Sequence, residues 1–367
     1  MKNLQLRMLL LLTTLSIGLL GCSTESDVPA PTKNSKQQST ETQTKTIKPE
    51  ELYASLKNHS QMMPLGDIPI PEDNPMTEEV LKLGQTLFFD PRLSGNNQVS
   101  CATCHDPNMG YGDDRPTFKA YDGSDGARNS PTVINSGYYS VNFWDGRAAS
   151  LEEQALGPIE NPNEMNQKLS DLVPELKVVE GYKTLFLAAF PDGITEQNIA
   201  KALAAFQRQI VVKDTPYDRF LEGDMNALTQ EELRGLKLFT GKAFCFTCHN
   251  GENLSDNQYY NIGLNTEDKG RFEITKDEAD IGRIRTASLY GITHTAPYMH
   301  NGSIATLEEV IEFYDRGGDG HPNTSFFMKQ FMQPLGLTKA EKADLLAFLK
   351  SLGGEVPLYA APELPGL

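Results

Sequence analysis

Two pentapeptides constrain this chain more than anything else in it: Cys101-Ala102-Thr103-Cys104-His105 and Cys245-Phe246-Thr247-Cys248-His249. Cys-x-x-Cys-His is the attachment sequence of a c-type haem. The two thiols add across the vinyl groups of the porphyrin, and the adjacent imidazole turns back onto the iron. Cys-x-x-Cys alone also suits a zinc site or a redox dithiol. Here it occurs twice, each time with His directly behind it, in 367 residues that hold only 5 Cys and 6 His. That repetition favours two c-type haems. The fifth cysteine, Cys22, stands alone, so no thiol is left for a disulfide. Stability must then come from the core and the cofactors.

The first residues read as a processing signal. Lys2 and Arg7 precede an apolar run from Met8 to Leu20 that is too short to span a membrane. It ends in Leu19-Leu20-Gly21-Cys22, which resembles a bacterial lipobox. The likeness implies cleavage after residue 21 and lipidation of Cys22; the other reading is an ordinary signal peptide with Cys22 a stray thiol. Residues 22–48 are polar, too poor in apolar side chains to fold, and as a flexible tether reach roughly 25–30 Å. Ser23 lacks the Asp that resembles an inner-membrane retention signal, so the expected location is the periplasmic face of the outer membrane. Covalent haem attachment belongs outside the bacterial cytoplasm and agrees with that compartment.

The formal charge of the chain is −16; removing Lys2 and Arg7 with the signal, two positive charges and no acid, leaves −18. An anionic surface argues against nucleic acid and would steer a basic partner, such as a small cytochrome c or a cupredoxin. The membrane is met only through the lipid. A homodimer is left open.

The body reads as two similar halves, 49–224 and 225–367. The spacing predicts a helix over 77–88, with Thr77 as N-cap and Val80, Leu83, Leu87 and Phe88 on one face. A loop leads from it into the first haem motif. The second half repeats the scheme: a helix over 229–239 with a capping box from Thr229 to Glu232, then Cys245. Gly84 and Gly235 hold the same place in the two helices, where glycine costs about 1 kcal/mol against alanine. Their expected use is close approach of a second helix. Each half supplies one, over 195–212 and 338–352. Helix, Cys-x-x-Cys-His, loops and closing helix resemble the class I cytochrome c fold, present twice. Little of the chain alternates with period two, so the fold class is all-α.

The segments Asn129-Ser130-Pro131-Thr132, Phe143-Trp144-Asp145-Gly146-Arg147, Leu151-Glu152-Glu153-Gln154-Ala155 and Gly157-Pro158 through Glu164-Met165 carry a more specific likeness. With the segment from Arg285 to Gly320, they resemble the bacterial diheme cytochrome c peroxidases and their relative MauG, over about residues 65 to 355. The resemblance implies that the first haem, on His105, meets hydrogen peroxide, and that Glu164 is the distal carboxylate. A carboxylate there can take a proton from the near oxygen and deliver it to the leaving one. Gln154 and Pro158 would shape the pocket, Trp144 would relay electrons between the haems, and Arg147 would pair with a haem propionate. Asn129, Thr295 and Pro297 match a calcium position, a hard ion suited to amide and carbonyl oxygens.

Two departures stand out. No histidine lies between His105 and His249, so the histidine that caps the resting iron in peroxidases needing reductive activation is missing, and Tyr121 stands at that offset. A first haem open at rest is expected. At the second haem, on His249, Tyr314 stands where typical peroxidases place Met; Met299 is the rival ligand, with His294, His300 and His321 as further candidates. Three functions follow: a peroxidase drawing electrons from a small donor, a MauG-like oxidant of a partner protein, and an electron carrier without turnover.

Overall fold

The computed structural model describes residues 45–57 and 61–366. The apolar run, Cys22 and residues 23–44 of the polar stretch behind it lie outside the described residues, whereas residues 45–48 of that stretch are described. Among those described, no helix is long and apolar enough to cross a membrane.

The four expected helices form, the one expected over 195–212 ending at Arg208, and Thr77 and Thr229 cap theirs as expected. α1 spans Pro49–Lys57, and α2, Glu78–Phe88, starts at Thr77, whose hydroxyl accepts from the Val80 amide at 3.3 Å. α3 is Leu151–Glu160 and α4 is Glu196–Arg208. α5, Gln230–Thr240, opens with the reciprocal Thr229–Glu232 box; α6 is Leu307–Asp315; α7, Lys339–Ser351, opens with a second such box from Thr338 to Glu341. Strand is confined to one two-residue ladder among the described residues, β1 Tyr259–Tyr260 antiparallel to β2 Ile284–Arg285, plus isolated bridges. The protein is all-α.

Two helix pairs carry the core, α2 on α4 and α5 on α7. In each, a glycine lets the backbones meet. A Cβ on Gly84 would overlap the Ala202 carbonyl and crowd Phe206; one on Gly235 would overlap the Asp344 carbonyl and crowd Phe348. The aromatic rings repeat as well: Phe88 lies 4.9 Å from Phe206, and Phe239 lies 5.1 Å from Phe348, all fully buried. Each such side chain stabilises the fold by about 1.5–3 kcal/mol through burial. The contacts predicted from the two glycines are therefore the ones that hold each half together.

Residues from Thr46 onward form one compact unit. Its ends are crossed. At the start, the Ile47 amide donates to Gln230 Oε1 at 2.8 Å and α1 lies against α5, while Tyr53 packs edge-on to Phe220 of the short helix Pro216–Leu221 at 5.9 Å. At the finish, residues 357–365 return to the first half. Tyr111 Oη donates to the Pro357 carbonyl, Gln85 to that of Ala360 and Arg92 to that of Pro365, each at 2.8 Å.

Candidate active site: two cavities with a shared wall

Each haem motif opens onto a cavity. The first, about 950 Å³, is lined by Cys101, Cys104 and His105 together with Gln154, Pro158 and Glu164. The second, about 250 Å³, is lined by Cys245, Cys248 and His249 together with Tyr314 and Met299. All four cysteines are free. Burial pushes the Cys101, Cys245 and Cys248 thiols up to about 12 and Cys104 to about 11, so none is a reactive thiolate. That argues against a redox dithiol and suits attachment.

The two histidines are held alike. His105 Nδ1 lies 3.2 Å from the Tyr111 carbonyl, and His249 Nδ1 lies 3.1 Å from the Leu254 carbonyl. A carbonyl only accepts, so Nδ1 carries the proton and Nε2 is left with its lone pair. Burial lowers both pKa values and keeps the rings neutral. Two thiols, one neutral Nε2 donor with its partner nitrogen pinned, and apolar walls are the donor set a c-type haem needs. The residues present fit that group at both sites.

Glu164 follows α3 in a tight turn, where Asn161 Nδ2 donates to its Oε1 at 2.7 Å. Burial raises its carboxyl pKa; Asn161 and then Arg147 pull the other way. Arg147 lies over the Phe143 ring at 3.4 Å and pairs with Asp145 at 3.0 Å. Tyr121 does not line this cavity. Its amide donates to the Glu164 carbonyl at 2.9 Å and its own carbonyl accepts from Asn96 at 2.6 Å. It braces the turn that presents Glu164, a task the sequence did not suggest.

Trp144 lines both cavities. Its Nε1–H donates to the Asn129 carbonyl at 2.8 Å. Asn129, Thr295 and Pro297 all line the second cavity. The Asn129 side-chain Nδ2 donates to the Arg115 carbonyl at 3.0 Å, which leaves Oδ1 as the oxygen a cation could take. Beside this wall runs an ion-pair chain that spacing did not reveal. Arg128 bridges Asp145 and Asp268, each at 2.6 Å, and His300 stands 3.6 Å from Asp268. Burial holds His300 down to about 4, so its imidazole is neutral.

At the second cavity the phenol oxygen of Tyr314 has no hydrogen-bond partner among the described residues, and burial raises its pKa. Met299 shares the cavity, as do Met328 and Met332, two thioethers that no motif pointed to. They come from the single helical turn Met328–Phe331 and its C-cap, between α6 and α7, and only the fold brings them in. His294 does not line the cavity.

Two c-type motifs on two cytochrome-like helix pairs, joined by a wall that carries a single Trp, define a di-haem c-type cytochrome with an enzyme's pocket. Comparison with known proteins agrees. The family model for di-haem cytochrome c peroxidase matches residues 78–226, and a RoxA-like, cytochrome c-like model matches residues 285–317. Cytochrome-c peroxidase IdrP1 of Pseudomonas sp. (strain SCT) is 38% identical over 344 residues, covering 84% of this chain and 90% of that protein. Methylamine utilization protein MauG of Methylorubrum extorquens is 40% identical over 303 residues, covering 81% and 85%. The crystal structure of a MauG-like protein associated with microbial copper homeostasis superposes with a TM-score of 0.72 at 35% identity, covering 78% of this chain and 93% of that one. The chain belongs to the di-haem cytochrome c peroxidase and MauG family, and it is an oxidoreductase carrying two c-type haems.

Proposed function

We propose that this protein reduces hydrogen peroxide to water at the cavity of His105. Electrons come singly from a small periplasmic donor, a cytochrome c or a cupredoxin, by way of the cavity of His249 and Trp144. The observation that carries this reading is Glu164: a carboxyl with a raised pKa, hydrogen-bonded by Asn161, in the roomier cavity that His105 also lines. An electron carrier needs closed, filled sites, and a protonatable carboxylate in a chamber of about 950 Å³ is not one.

Peroxide takes up two electrons and two protons and leaves as two waters. A bound haem iron supplies the redox chemistry of O–O cleavage. The protein supplies the proton handling. Glu164 accepts a proton from the near oxygen and hands it to the leaving one, which a raised pKa makes easier at neutral pH. Asn161 fixes the carboxylate, and Tyr121 fixes its backbone. Gln154 narrows the space beside it. The amide and hydroxyl set Asn129 and Thr295, with the Pro297 carbonyl, would hold a calcium ion against the shared wall. Lipidation at Cys22 would tether the enzyme to the periplasmic face of the outer membrane.

One observation favours a second reading, MauG-like oxidation of a partner protein. The unpartnered phenol of Tyr314 would ligate the second iron as a phenolate, which stabilises oxidised iron and makes donor electrons harder to accept. The test is steady-state peroxide reduction with a reduced small cytochrome c, run on the unmodified protein and on Glu164→Gln. Turnover in the former and its loss in the latter, at equal haem content, is the expected result. No turnover with any small donor, alongside oxidation of an added protein, would favour the second reading.

A further inference from the structure

We propose that His321 is a positioning residue for the second haem: its Nε2–H donates to one of the haem's two carboxylates. The proposal rests on the reading that the cavity of His249 holds a c-type haem.

The tautomer of His321 is fixed by backbone groups. The Gly263 amide donates to Asn261 Oδ1 at 3.0 Å, which makes Nδ2 the donating end of that side chain. Nδ2 donates to the Ile281 carbonyl at 3.2 Å and meets His321 Nδ1 at 3.1 Å. The Asn323 amide also donates to Nδ1, at 3.2 Å. A ring nitrogen receiving two N–H groups holds a lone pair, so the ring proton sits on Nε2. His321 therefore cannot serve as an iron ligand without giving up both bonds. Yet its Nε2–H has no acceptor among the described residues, and the side chain lines the cavity of His249.

Charge says what the acceptor is. A haem brings two carboxylates, and Arg285 is the only Arg or Lys lining this cavity among the described residues. Its Nε and Nη1 already donate to the carbonyls of Phe143 and Thr286, at 3.3 and 3.0 Å. Its Nη2 is left for one of the carboxylates, and a neutral N–H donor can serve the other. His321 stands on the right wall: β2 carries Arg285, and Ile284 beside it pairs with Tyr260, the residue before Asn261. The loop that bears His321 is buckled to the same wall, since the Asp319 amide donates to the Gly263 carbonyl at 2.9 Å. A hydrogen bond to a haem carboxylate withdraws charge from it and favours the reduced iron.

The test compares His321→Leu with His321→Gln in the full chain, by spectroelectrochemical titration of both haems and by resonance Raman of the propionate bending modes. In the leucine variant the potential of the second haem should fall and its propionate band should shift, with the first haem unchanged. Glutamine, which keeps an N–H donor, should recover most of both. Should the leucine variant not fold, His321→Ala carries the same expectation, because the loop's backbone bonds to Gly263 remain. An unchanged potential and band at full haem loading would overturn the role of His321. A single haem in the unmodified protein would overturn the reading of the cavity itself.

Discussion

In the proposed reaction Glu164 joins a raised pKa to a proton-transfer task, and this gives a signed pH dependence. The base form must be present for the first proton transfer. Activity should therefore fall as pH falls through the Glu164 pKa, which burial places above the ordinary carboxylate range. Glu164→Gln should lose that acid limb and cost about 10²–10⁴-fold in turnover; a pH–rate profile at fixed haem content measures both. A second prediction concerns the other iron. Tyr314→Phe should change the spectrum of the second haem, whereas Met299→Leu, Met328→Leu and Met332→Leu should not. A spectral change confined to one of the methionine variants would give the ligand to that thioether. The place of Glu164 in the cavity of His105 was legible in the sequence because it sits in a motif with its neighbours. Tyr121 was legible only as an offset, and its actual work, bracing a turn through backbone atoms, leaves no mark on residue type. The tautomer of His321 was hidden for the same reason, since backbone amides set it.

The elements were the most readable level. Threonine caps, capping boxes and apolar stripes gave α2, α4, α5 and α7, and two out-of-place glycines gave their pairing. Those glycines make a sharp prediction. Gly84→Ala and Gly235→Ala gain up to about 1 kcal/mol in helix propensity. They force a methyl into the carbonyl of the facing helix, where overpacking costs about 1–3 kcal/mol. Both variants should melt below the unmodified protein in denaturant titrations, despite the better helix former. Less readable was everything between the helices. The turn carrying Met328 and Met332 has no period that points it at His249, and Arg128 reaches Asp268 across 140 residues of sequence. Long-range closure of loops is a property of the assembled fold, not of any window of the chain.

Taken whole, the unit from Thr46 onward is closed by its own ends: α1 lies on the second half, and residues 357–365 lie on the first. Deleting residues 356–366 should leave Tyr111 Oη and Arg92 without their carbonyl partners, at about 1–3 kcal/mol for each buried group left unsatisfied. Haem absorbance followed through a urea titration should then show the first half unfolding ahead of the second, where the intact chain gives one transition. Tyr111 gives that clasp a further meaning. Its carbonyl orients His105, and its hydroxyl is held by the Pro357 carbonyl. The first haem motif thus depends on a residue that lies far along the chain from it, Pro357. The site of His105 is therefore finished only once residues 357–359 pack against Tyr111, so its completion reports that distant stretches of the chain have come together.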